Sequence, residues 1–366
     1  MLKAKDILTP NTPSLGFGAM RMPDLEKTKK MVDTYLDGGY NYFDTAYAYG
    51  GSEETLNKVL VTRRPRDSYM IADKLPPWNV EKPEDCKGLL EESLRRLGLD
   101  YIDFYMVHSV GDAREQHISD MGLFEFAYEQ KKRGLVKHVG FSYHGSTPYL
   151  EKVLTRYPDV EFVQLQLNYI DILRGPAAQW QDLAIKHNKP IIVMEPIKGG
   201  SLASLPAPAE ALFKAADPTR SIASWAMQYA ATLEGVTSIL SGMSTLEQVE
   251  DNLKTFKNLR PLTPAEMQLL EDVLTEIAKV ANIPCTACKY CHEYCPKGID
   301  IAGNLSLYNE AKRDPSGLWN RQMLYKDLQQ SQKAVNCTAC GLCLEHCPQQ
   351  LDIPGGLKDA HEVLKG

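Results

Sequence analysis

The sequence predicts an α/β protein in which a closed (β/α)8 barrel, or TIM barrel, precedes a small, mainly helical domain rich in cysteine. Three observations support this prediction. Strand-like and helix-like segments alternate from about residue 14 to residue 260. Polar residues stand at the ends of several strand-like segments. Eight of the nine cysteines lie between Cys285 and Cys347.

The alternation consists of about eight strand–helix units. The predicted strands cover residues 14–20, 40–44, 68–74, 101–108, 136–142, 161–167, 190–195 and 236–241. The predicted helices cover residues 24–36, 53–61, 84–97, 122–133, 148–157, 176–187, 220–231 and 245–256. Repeated units of this kind imply parallel strands joined by helical crossovers. Eight units over roughly 250 residues match a closed barrel.

The alternative fold is a doubly wound open sheet. That fold favours a Gly-x-Gly-x-x-Gly turn after its first strand, and Gly16-Phe17-Gly18 does not complete the pattern. We therefore divide the chain into a barrel at residues 1–262, a connecting helix within 263–283 and a cysteine domain at 284–366.

Composition excludes several classes of protein. The chain has 366 residues, 43% of them hydrophobic, and a formal net charge of −6. Because Lys and Arg are spread along the chain, we expect no nucleic-acid binding. No apolar run reaches the roughly 18 residues that cross a bilayer. The N-terminus, MLKAKDILTP, lacks an apolar signal core, so we expect a cytoplasmic protein that does not bind membranes.

Candidate catalytic residues follow three of the predicted strands. Asp44 ends the strand 40–44, and Tyr49 follows it five positions later. Lys74 and His108 end two later strands. In a barrel, the C-terminal ends of the strands meet at one mouth, so these side chains would form one site. A carboxylate beside a phenol suggests proton transfer, provided that a neighbour lowers the phenol pKa.

The segment Asp44-Thr45-Ala46-Tyr47-Ala48-Tyr49-Gly50, with Glu53 after it, resembles the signature of the aldo-keto reductase family. Lys74 and His108 stand where that family has its other two catalytic residues. The resemblance implies that Tyr49 protonates a carbonyl oxygen as hydride reaches the carbon. It also implies that Lys74 favours the phenolate, that Asp44 holds Lys74 charged, and that His108 donates a hydrogen bond to the substrate oxygen.

The same resemblance implies a nicotinamide cofactor. The residues expected to bind it are Gly18, Met20, Ser142, Gln166, Met194, Ser241, Gly242, Met243, Gln248 and Asn252. Gln164 is an alternative to Gln166 for the contact with the carboxamide. Met194 stands where many members stack a tyrosine on the nicotinamide ring. Many members carry Lys or Arg near Gly242, Met243 and Gln248, so the choice between NADPH and NADH stays open.

The cysteine domain contains an internal duplication. Residues 285–301 read CTACKYCHEYCPKGIDI and residues 337–353 read CTACGLCLEHCPQQLDI, with ten of seventeen positions identical at an offset of 52. Each copy has the spacing Cys-x2-Cys-x2-Cys-x3-Cys-Pro of bacterial ferredoxins that hold two [4Fe–4S] clusters. The alternative metal is zinc, which usually binds two separated Cys-x2-Cys pairs.

The resemblance to ferredoxins implies that the fourth cysteine of each copy binds the cluster of the other copy. One cluster would then bind Cys285, Cys288, Cys291 and Cys347, and the other Cys337, Cys340, Cys343 and Cys295. Residues 304–313 and 318–333 between the copies are predicted to be helical. We therefore expect a helical two-cluster domain rather than the compact ferredoxin fold that contains strands.

Three functions are compatible with this sequence. The first is a nicotinamide-dependent reductase of aldehydes or ketones, or the reverse alcohol dehydrogenase, with a small-molecule substrate and two appended clusters. The second is an electron-transfer enzyme whose clusters exchange electrons with the active site, through a flavin, or with a redox partner protein. No flavin motif is present. In the third, the clusters only stabilise the C-terminal domain.

Overall fold

A computed structural model describes Leu8 and residues 14–280, 282–313 and 318–366. By their contacts the residues form two compact units, Met1–Pro196 with Ser224–Leu262 and Ile197–Ala223 with Thr263–Gly366. The order of the elements along the chain does not reveal that residues 197–223 group with the cysteine domain. The predicted boundaries at residues 262 and 283 stay a proposal. Of the N-terminal decapeptide only Leu8 is described, and Ala281 of segment 263–283 lies outside the described residues.

The first unit is a closed barrel of eight parallel strands in chain order. The strands are β1 (Ser14–Gly18), β2 (Tyr42–Asp44), β3 (Met70–Leu75), β4 (Ile102–Val110), β5 (Val136–Tyr143), β6 (Phe162–Gln166), β7 (Ile191–Met194) and β8 (Val236–Ser241). The predicted fold class is confirmed. The open-sheet alternative is wrong, because β1 and β8 pair with each other and Phe17 lies opposite Ser241.

Fifteen α-helices occur in the described part of the chain. They are α1 (Leu25–Asp37), α2 (Ser52–Leu56), α3 (Asp85–Leu97), α4 (Glu115–Asp120), α5 (Leu123–Lys132), α6 (Thr147–Arg156), α7 (Tyr169–Arg174), α8 (Ala177–Lys186), α9 (Ala207–Ala216), α10 (Ile222–Thr232), α11 (Leu246–Lys257), α12 (Pro264–Ala278), α13 (Ile301–Arg313), α14 (Leu318–Asp327) and α15 (Ile353–Leu364).

The helices differ from the prediction in a few places. The segment predicted as one helix at 53–61 is α2 followed by a π-helical turn, Asn57–Val61. The segment predicted at 318–333 ends earlier, at Asp327, and two short 3-10 turns follow it. The sequence did not predict α4, α7, α9 and α15. The helix α15 was missed because it begins with Ile-Pro-Gly-Gly, a sequence typical of a turn. Proline nevertheless suits a first helical turn, and the Asp352 side chain caps the helix by accepting a hydrogen bond from Gly355 N.

The barrel interior is filled by alternate residues of the strands, as the two-residue period of a strand requires. The buried interior cluster comprises Tyr42, Met70, Ala72, Phe104, Met106, Phe162, Ile192, Met194 and Leu240. Gly16 lacks a side chain where this cluster is tightest, since a Cβ there would lie 2.6 Å from Leu240 Cδ2. The interior is thus a packed core rather than a pore.

The second unit is mainly helical, as predicted, and contains no strand among its described residues. Its core lies between α13 and α15 and includes Leu305, Leu357 and two of the cysteines, Cys291 and Cys343. The segment after β7 belongs to this unit. Gly199 faces the first cysteine run, where an added Cβ would lie 2.6 Å from the carbonyl oxygen of Thr286.

No helix in the described part of the chain combines the length and the apolar character that a membrane crossing requires.

Candidate functional site

The polar residues at three strand ends face the inside of the barrel. The residues two positions earlier on the same strands belong to the interior cluster: Tyr42, Ala72 and Met106. Asp44, Lys74 and His108 therefore point to the same side, at the C-terminal ends of β2, β3 and β4. Each is at most 3% exposed. The strand alternation thus brings together three of the four predicted catalytic side chains, and the loop after β2 adds Tyr49.

The ammonium group of Lys74 lies at the centre of this site. Its Nζ donates hydrogen bonds to Asp44 Oδ1 at 2.6 Å and to the carbonyl oxygen of Thr45 at 2.6 Å. The same Nζ lies 4.9 Å from the ring centroid of Tyr49. A backbone acceptor such as Thr45 has no sequence signature, so the second fixed contact of Lys74 could not be predicted. Together the two acceptors aim the positive charge at the phenol ring.

Burial sets the electrostatics of this pair. Burial raises the pKa of Asp44 above its usual range, and the neighbouring Lys74 opposes the rise. Taking both charges out of water has a large cost, so a buried pair of this kind is weak evidence for a stabilising role. A fixed ammonium group beside a phenol favours the phenolate form of that phenol.

His108 completes the group of four. Its ring lies 5.8 Å from the ring of Tyr49 and 5.1 Å from the ring of Trp78, measured between centroids. Burial, followed by the charges of Lys74, His144 and Arg114, lowers the pKa of His108 well below 6.5. Burial and then Arg114 also lower the pKa of His144, to about 4. The His108 imidazole is therefore neutral near pH 7 and can act as a hydrogen-bond donor.

This neutrality bears on the acid side of the pH profile. The His108 ring does not gain a proton as pH falls through 6.5, because its pKa is held lower. We therefore expect the pH profile of kcat/KM to show no acid limb near pH 6.5 that comes from His108. The measurement is a pH series of initial rates for the unmodified protein and for His108→Gln. An acid limb near pH 6.5 that disappears in His108→Gln would contradict the assignment.

A buried pair of carboxyl groups, Asp73 and Glu53, lies behind the strand that carries Lys74. Asp73 faces outward from β3 and is fully buried, with its Oδ1 accepting the backbone N–H of Lys74 at 2.7 Å. Glu53, 1% exposed, pairs through Oε2 with Arg96 Nη1 at 2.9 Å. Burial and then the negative charge of Glu53 raise the pKa of Asp73 well above 3.8. This pair could not be predicted from the sequence, because nothing distinguishes Asp73 from an ordinary residue of the strand.

We expect Asp73→Asn to stabilise the barrel at pH 8 by about 1 kcal/mol. The raised pKa means that the folded state holds the Asp73 proton more tightly than the unfolded state. Stability is therefore lost as pH rises from 3.8 through the folded pKa, and asparagine removes this loss. Urea unfolding at pH 8 and pH 5 measures the free energy of unfolding of both proteins. The stabilisation by Asp73→Asn should be smaller at pH 5. The exposed Asp67→Asn is the control, and an unchanged midpoint for Asp73→Asn at pH 8 would contradict the interpretation.

Gln166 lies at the mouth, and a carboxylate orients it. Phe162, Gln164 and Gln166 alternate into the barrel, so Gln166 is the last inward residue of β6 and Gln164 lies one layer deeper. Gln166 Nε2 donates to Asp171 Oδ2 at 2.7 Å. Asn168 Nδ2 donates to the same oxygen at 2.7 Å. The position favours Gln166 over Gln164 for contact with a ligand at the mouth.

Two further predicted cofactor residues lie at the same end of the barrel. Ser142, in β5, accepts a hydrogen bond at its Oγ from the backbone N–H of Ser109 at 2.8 Å. Ser109 has a positive φ of 52° at the end of β4. Met194 is the last residue of β7, faces inward and is 9% exposed. A thioether at this position can pack on the face of a planar ring.

The remaining predicted cofactor residues lie where β1 and β8 end. Gly18 approaches β8 closely, since an added Cβ would lie 3.2 Å from the carbonyl oxygen of Ser241. Asn252 Nδ2 donates to Ser241 Oγ at 2.8 Å. Gln248 Oε1 accepts from the backbone N–H of Ser244 at 2.7 Å, which fixes the turn before α11. The other members of the set differ in burial: Met20 is half-buried, Gly242 is exposed and Met243 is buried.

Four cysteines line each of two cavities in the second unit. The first cavity is lined by Cys285, Cys288, Cys291 and Cys347. The second cavity is lined by Cys295, Cys337, Cys340 and Cys343. Each cavity thus combines three cysteines of one copy with the fourth of the other. No three Cys, His, Asp or Glu side chains in the described ranges converge closely enough for a single metal ion.

The thiols fit a polynuclear cluster chemically. Burial and the neighbouring thiols Cys288, Cys347 and Cys285 raise the pKa of Cys291 to about 12. Burial, with Cys337, Cys340 and Cys295 nearby, raises the pKa of Cys343 to about 11. Thiolates crowded together in this way need positive charge between them, which iron ions supply.

The backbone of the two copies is also matched. Ala287 and its counterpart Ala339 have φ values of 54° and 53°. Lys289 has a φ of 64° where the second copy has Gly341 at 80°. Such conformations are rare for residues other than glycine, and here they curl each cysteine run around its cavity. The Ala287 N–H donates to Cys285 Sγ at 3.5 Å, a contact suited to a cluster thiolate.

Comparison with known families identifies the class of protein. The model of the aldo/keto reductase family matches residues 14–275, and that of the 4Fe-4S dicluster domain matches residues 284–351. The chain belongs to the aldo/keto reductase family and carries a C-terminal 4Fe-4S dicluster domain. This confirms the resemblance that the sequence indicated and the class of oxidoreductase.

Individual relatives match most of this chain. An uncharacterized oxidoreductase, YqkF, of Bacillus subtilis is 25% identical over 70% of this chain and 91% of its own length. An aldo-keto reductase of Mycolicibacterium paratuberculosis is 28% identical over 75% of this chain and 90% of its own.

Solved structures agree with the barrel fold. The holo form of aldo-keto reductase AKR11C1 from Bacillus halodurans has a TM-score of 0.60 and 26% identity, covering 72% of this chain and 92% of that one. An aldo/keto reductase from Klebsiella pneumoniae in complex with NADP and acetate has a TM-score of 0.60 and 22% identity, covering 73% and 92%. At that identity the Klebsiella structure supports the fold alone.

Proposed function

We propose that the protein is a nicotinamide-dependent oxidoreductase that interconverts an aldehyde or ketone and an alcohol, with Tyr49 exchanging the proton. The observation that carries the proposal is the position of the Lys74 ammonium group, bound to Asp44 at 2.6 Å and 4.9 Å from the ring centroid of Tyr49. The substrate is a small carbonyl compound or alcohol. The proposal places the protein in the cytoplasm, where a reducing environment keeps the eight clustered cysteines from forming disulfides.

Each residue of the group of four has a separate role in this reaction. Tyr49 donates its phenolic proton to the carbonyl oxygen during reduction and accepts a proton from the alcohol in the reverse direction. Lys74 stabilises the phenolate that remains, because its charge is fixed by two acceptors and cannot rotate away. His108, neutral and buried, donates a hydrogen bond to the same substrate oxygen and so stabilises the charge that develops there.

The nicotinamide cofactor, when bound, supplies or takes up the hydride at the carbonyl carbon. Ser142, Gln166 and Met194 would hold its nicotinamide end, since all three lie at the C-terminal ends of their strands. The rest of the cofactor would lie along the ends of β1 and β8, with Gly18, Met20, Ser241, Gly242, Met243, Gln248 and Asn252. The Klebsiella protein with this fold binds NADP. For this chain we propose NADPH or NADH as the cofactor. The preferred cofactor is the one with the lower dissociation constant.

The proposed reaction is tested by hydride tracing under anaerobic conditions. Full-length protein with its clusters is mixed with a generic aldehyde and with NADPH or NADH that carries deuterium at the reactive carbon. Both hydrogens on that carbon are deuterium, so that either face delivers label. We expect aldehyde-dependent oxidation of the nicotinamide and one deuterium on the carbinol carbon of the product. Absence of deuterium from the alcohol, with nicotinamide consumed, would contradict direct hydride transfer and favour a route through a flavin.

The two four-cysteine cavities support a second function, in which the clusters exchange single electrons with a redox partner protein. The clusters, when bound, carry one electron at a time, whereas the nicotinamide carries two as hydride, so a direct link between them needs a splitter such as a flavin. A purely structural role is the third proposal. It is supported by Cys291 and Cys343, which are part of the hydrophobic core of the second unit.

A further inference from the structure

Two aromatic rings join the two cysteine cavities. Tyr294 and His346 stack with their ring centroids 3.3 Å apart and their planes within 6° of parallel. Tyr294 lines the second cavity, and His346 lines the first. The stacked pair is therefore a direct side-chain contact between the wall of one cavity and the wall of the other.

The position of these rings in the duplication is significant. Tyr294 and His346 are 52 residues apart and so occupy the same place in the two copies. Each stands immediately before the last cysteine of its copy, Cys295 or Cys347. These are the cysteines that line the cavity of the other copy. The Tyr294–His346 stack thus ties together the two chain segments that cross between the cavities.

The rest of the unit shows the same pairing of equivalent elements. The helices α13 and α15 start at equivalent positions, Ile301 and Ile353. Asp300 Oδ1 accepts from Gly303 N at 3.0 Å, and Asp352 Oδ1 accepts from Gly355 N at 3.0 Å. The two halves are thus matched in their backbone, and the stacked rings lie where both crossing segments meet. A pseudo-two-fold arrangement of this kind places equivalent residues against each other near its axis.

We propose that Tyr294 and His346 form a positioning pair that sets the spacing, and hence the magnetic and electronic interaction, of the two clusters. Two flat rings in contact cannot approach each other further. Each side chain has only two rotatable bonds, so the rings tilt little. The stack therefore fixes the separation of the two chain segments that lead to Cys295 and Cys347. Leucine at either position removes this spacer. The proposal depends on the dicluster domain and not on the carbonyl chemistry of the barrel.

The test is the electron paramagnetic resonance spectrum of the fully reduced, full-length protein, whose splitting and broadening report the interaction between two reduced clusters. The variants are Tyr294→Leu and His346→Leu, the conservative Tyr294→Phe, and the exchange Tyr294→His with His346→Tyr. The control is His292→Leu, which makes the same chemical change one residue after a cysteine, at a position where the second copy has Leu344.

We expect both leucine variants to change the interaction spectrum, whereas Tyr294→Phe, the exchange variant and His292→Leu retain it. Iron content confirms that both clusters are present. If a leucine variant fails to assemble its clusters, the exchange variant tests the proposal instead. An exchange variant that holds both clusters and gives the spectrum of the unmodified protein supports the pair. An exchange variant that does not give this spectrum contradicts the proposal. Leucine variants that hold both clusters and give the unmodified spectrum would also overturn it.

Discussion

Replacing Tyr49 by phenylalanine is expected to lower kcat for aldehyde reduction by about 10³-fold, within the range that a positioned general acid contributes. The change removes only the phenolic hydroxyl. The ring remains beside Lys74 and against His108, so the affinity for nicotinamide should change by less than about threefold. Single-turnover reduction under anaerobic conditions measures the effect, and a cofactor titration measures the binding.

The matched control for this variant is Tyr101→Phe. Tyr101 stands just before the first residue of β4, at the opposite end of the strand from His108, and its ring packs against the guanidinium of Arg66 at 4.0 Å. Removing its hydroxyl should leave kcat unchanged. A Tyr49→Phe protein that keeps more than about a tenth of the normal rate would show that another group supplies the proton.

Replacing Cys295 by serine is expected to remove the cluster of the second cavity, although Cys295 belongs to the first cysteine run. Iron should fall from about eight to about four atoms per chain. Alkylation under native conditions, followed by mass spectrometry, identifies the cysteines that lost protection. We expect Cys337, Cys340 and Cys343 to react, because these three line the same cavity as Cys295.

The reciprocal variant is Cys347→Ser, for which the first cavity should lose its protection instead. Cys285, Cys288 and Cys291 would then react, while the second set stays protected. Cys86 provides an internal reference, since it is fully buried in α3 of the barrel. Alkylation of Cys285, Cys288 and Cys291 in Cys295→Ser would contradict the exchanged ligand sets and indicate that each run holds its own cluster.

Much of this architecture could be predicted from the sequence because it rests on periodicity. The alternation of strands and helices requires a parallel sheet, and the two-residue period places Asp44, Lys74 and His108 on the inside at one end. The cysteine spacing repeats at a fixed offset, so the two cavities follow from the motif and from its resemblance to ferredoxins. These predictions were possible because each rests on a pattern that recurs along the chain and that the fold preserves.

Features that depend on contacts between distant segments could not be predicted. Asp73 and Glu53 form a buried carboxyl pair only because β3 and the start of α2 pack together. Tyr294 and His346 occur in the repeat as different residue types, so the alignment of the copies did not suggest that they touch. Residues 197–223 follow a barrel strand but group with the cysteine unit. None of these contacts has a sequence period.

The proposed reductase function is tested most directly by an anaerobic visible titration of the full-length protein with NADPH and NADH, with and without a generic aldehyde. It follows the nicotinamide and cluster absorbance together. We expect nicotinamide to be oxidised only when aldehyde is present, with no change in the cluster colour. Bleaching of the clusters by nicotinamide alone, with no dependence on aldehyde, would contradict it, since electrons would then leave the nicotinamide without a carbonyl acceptor.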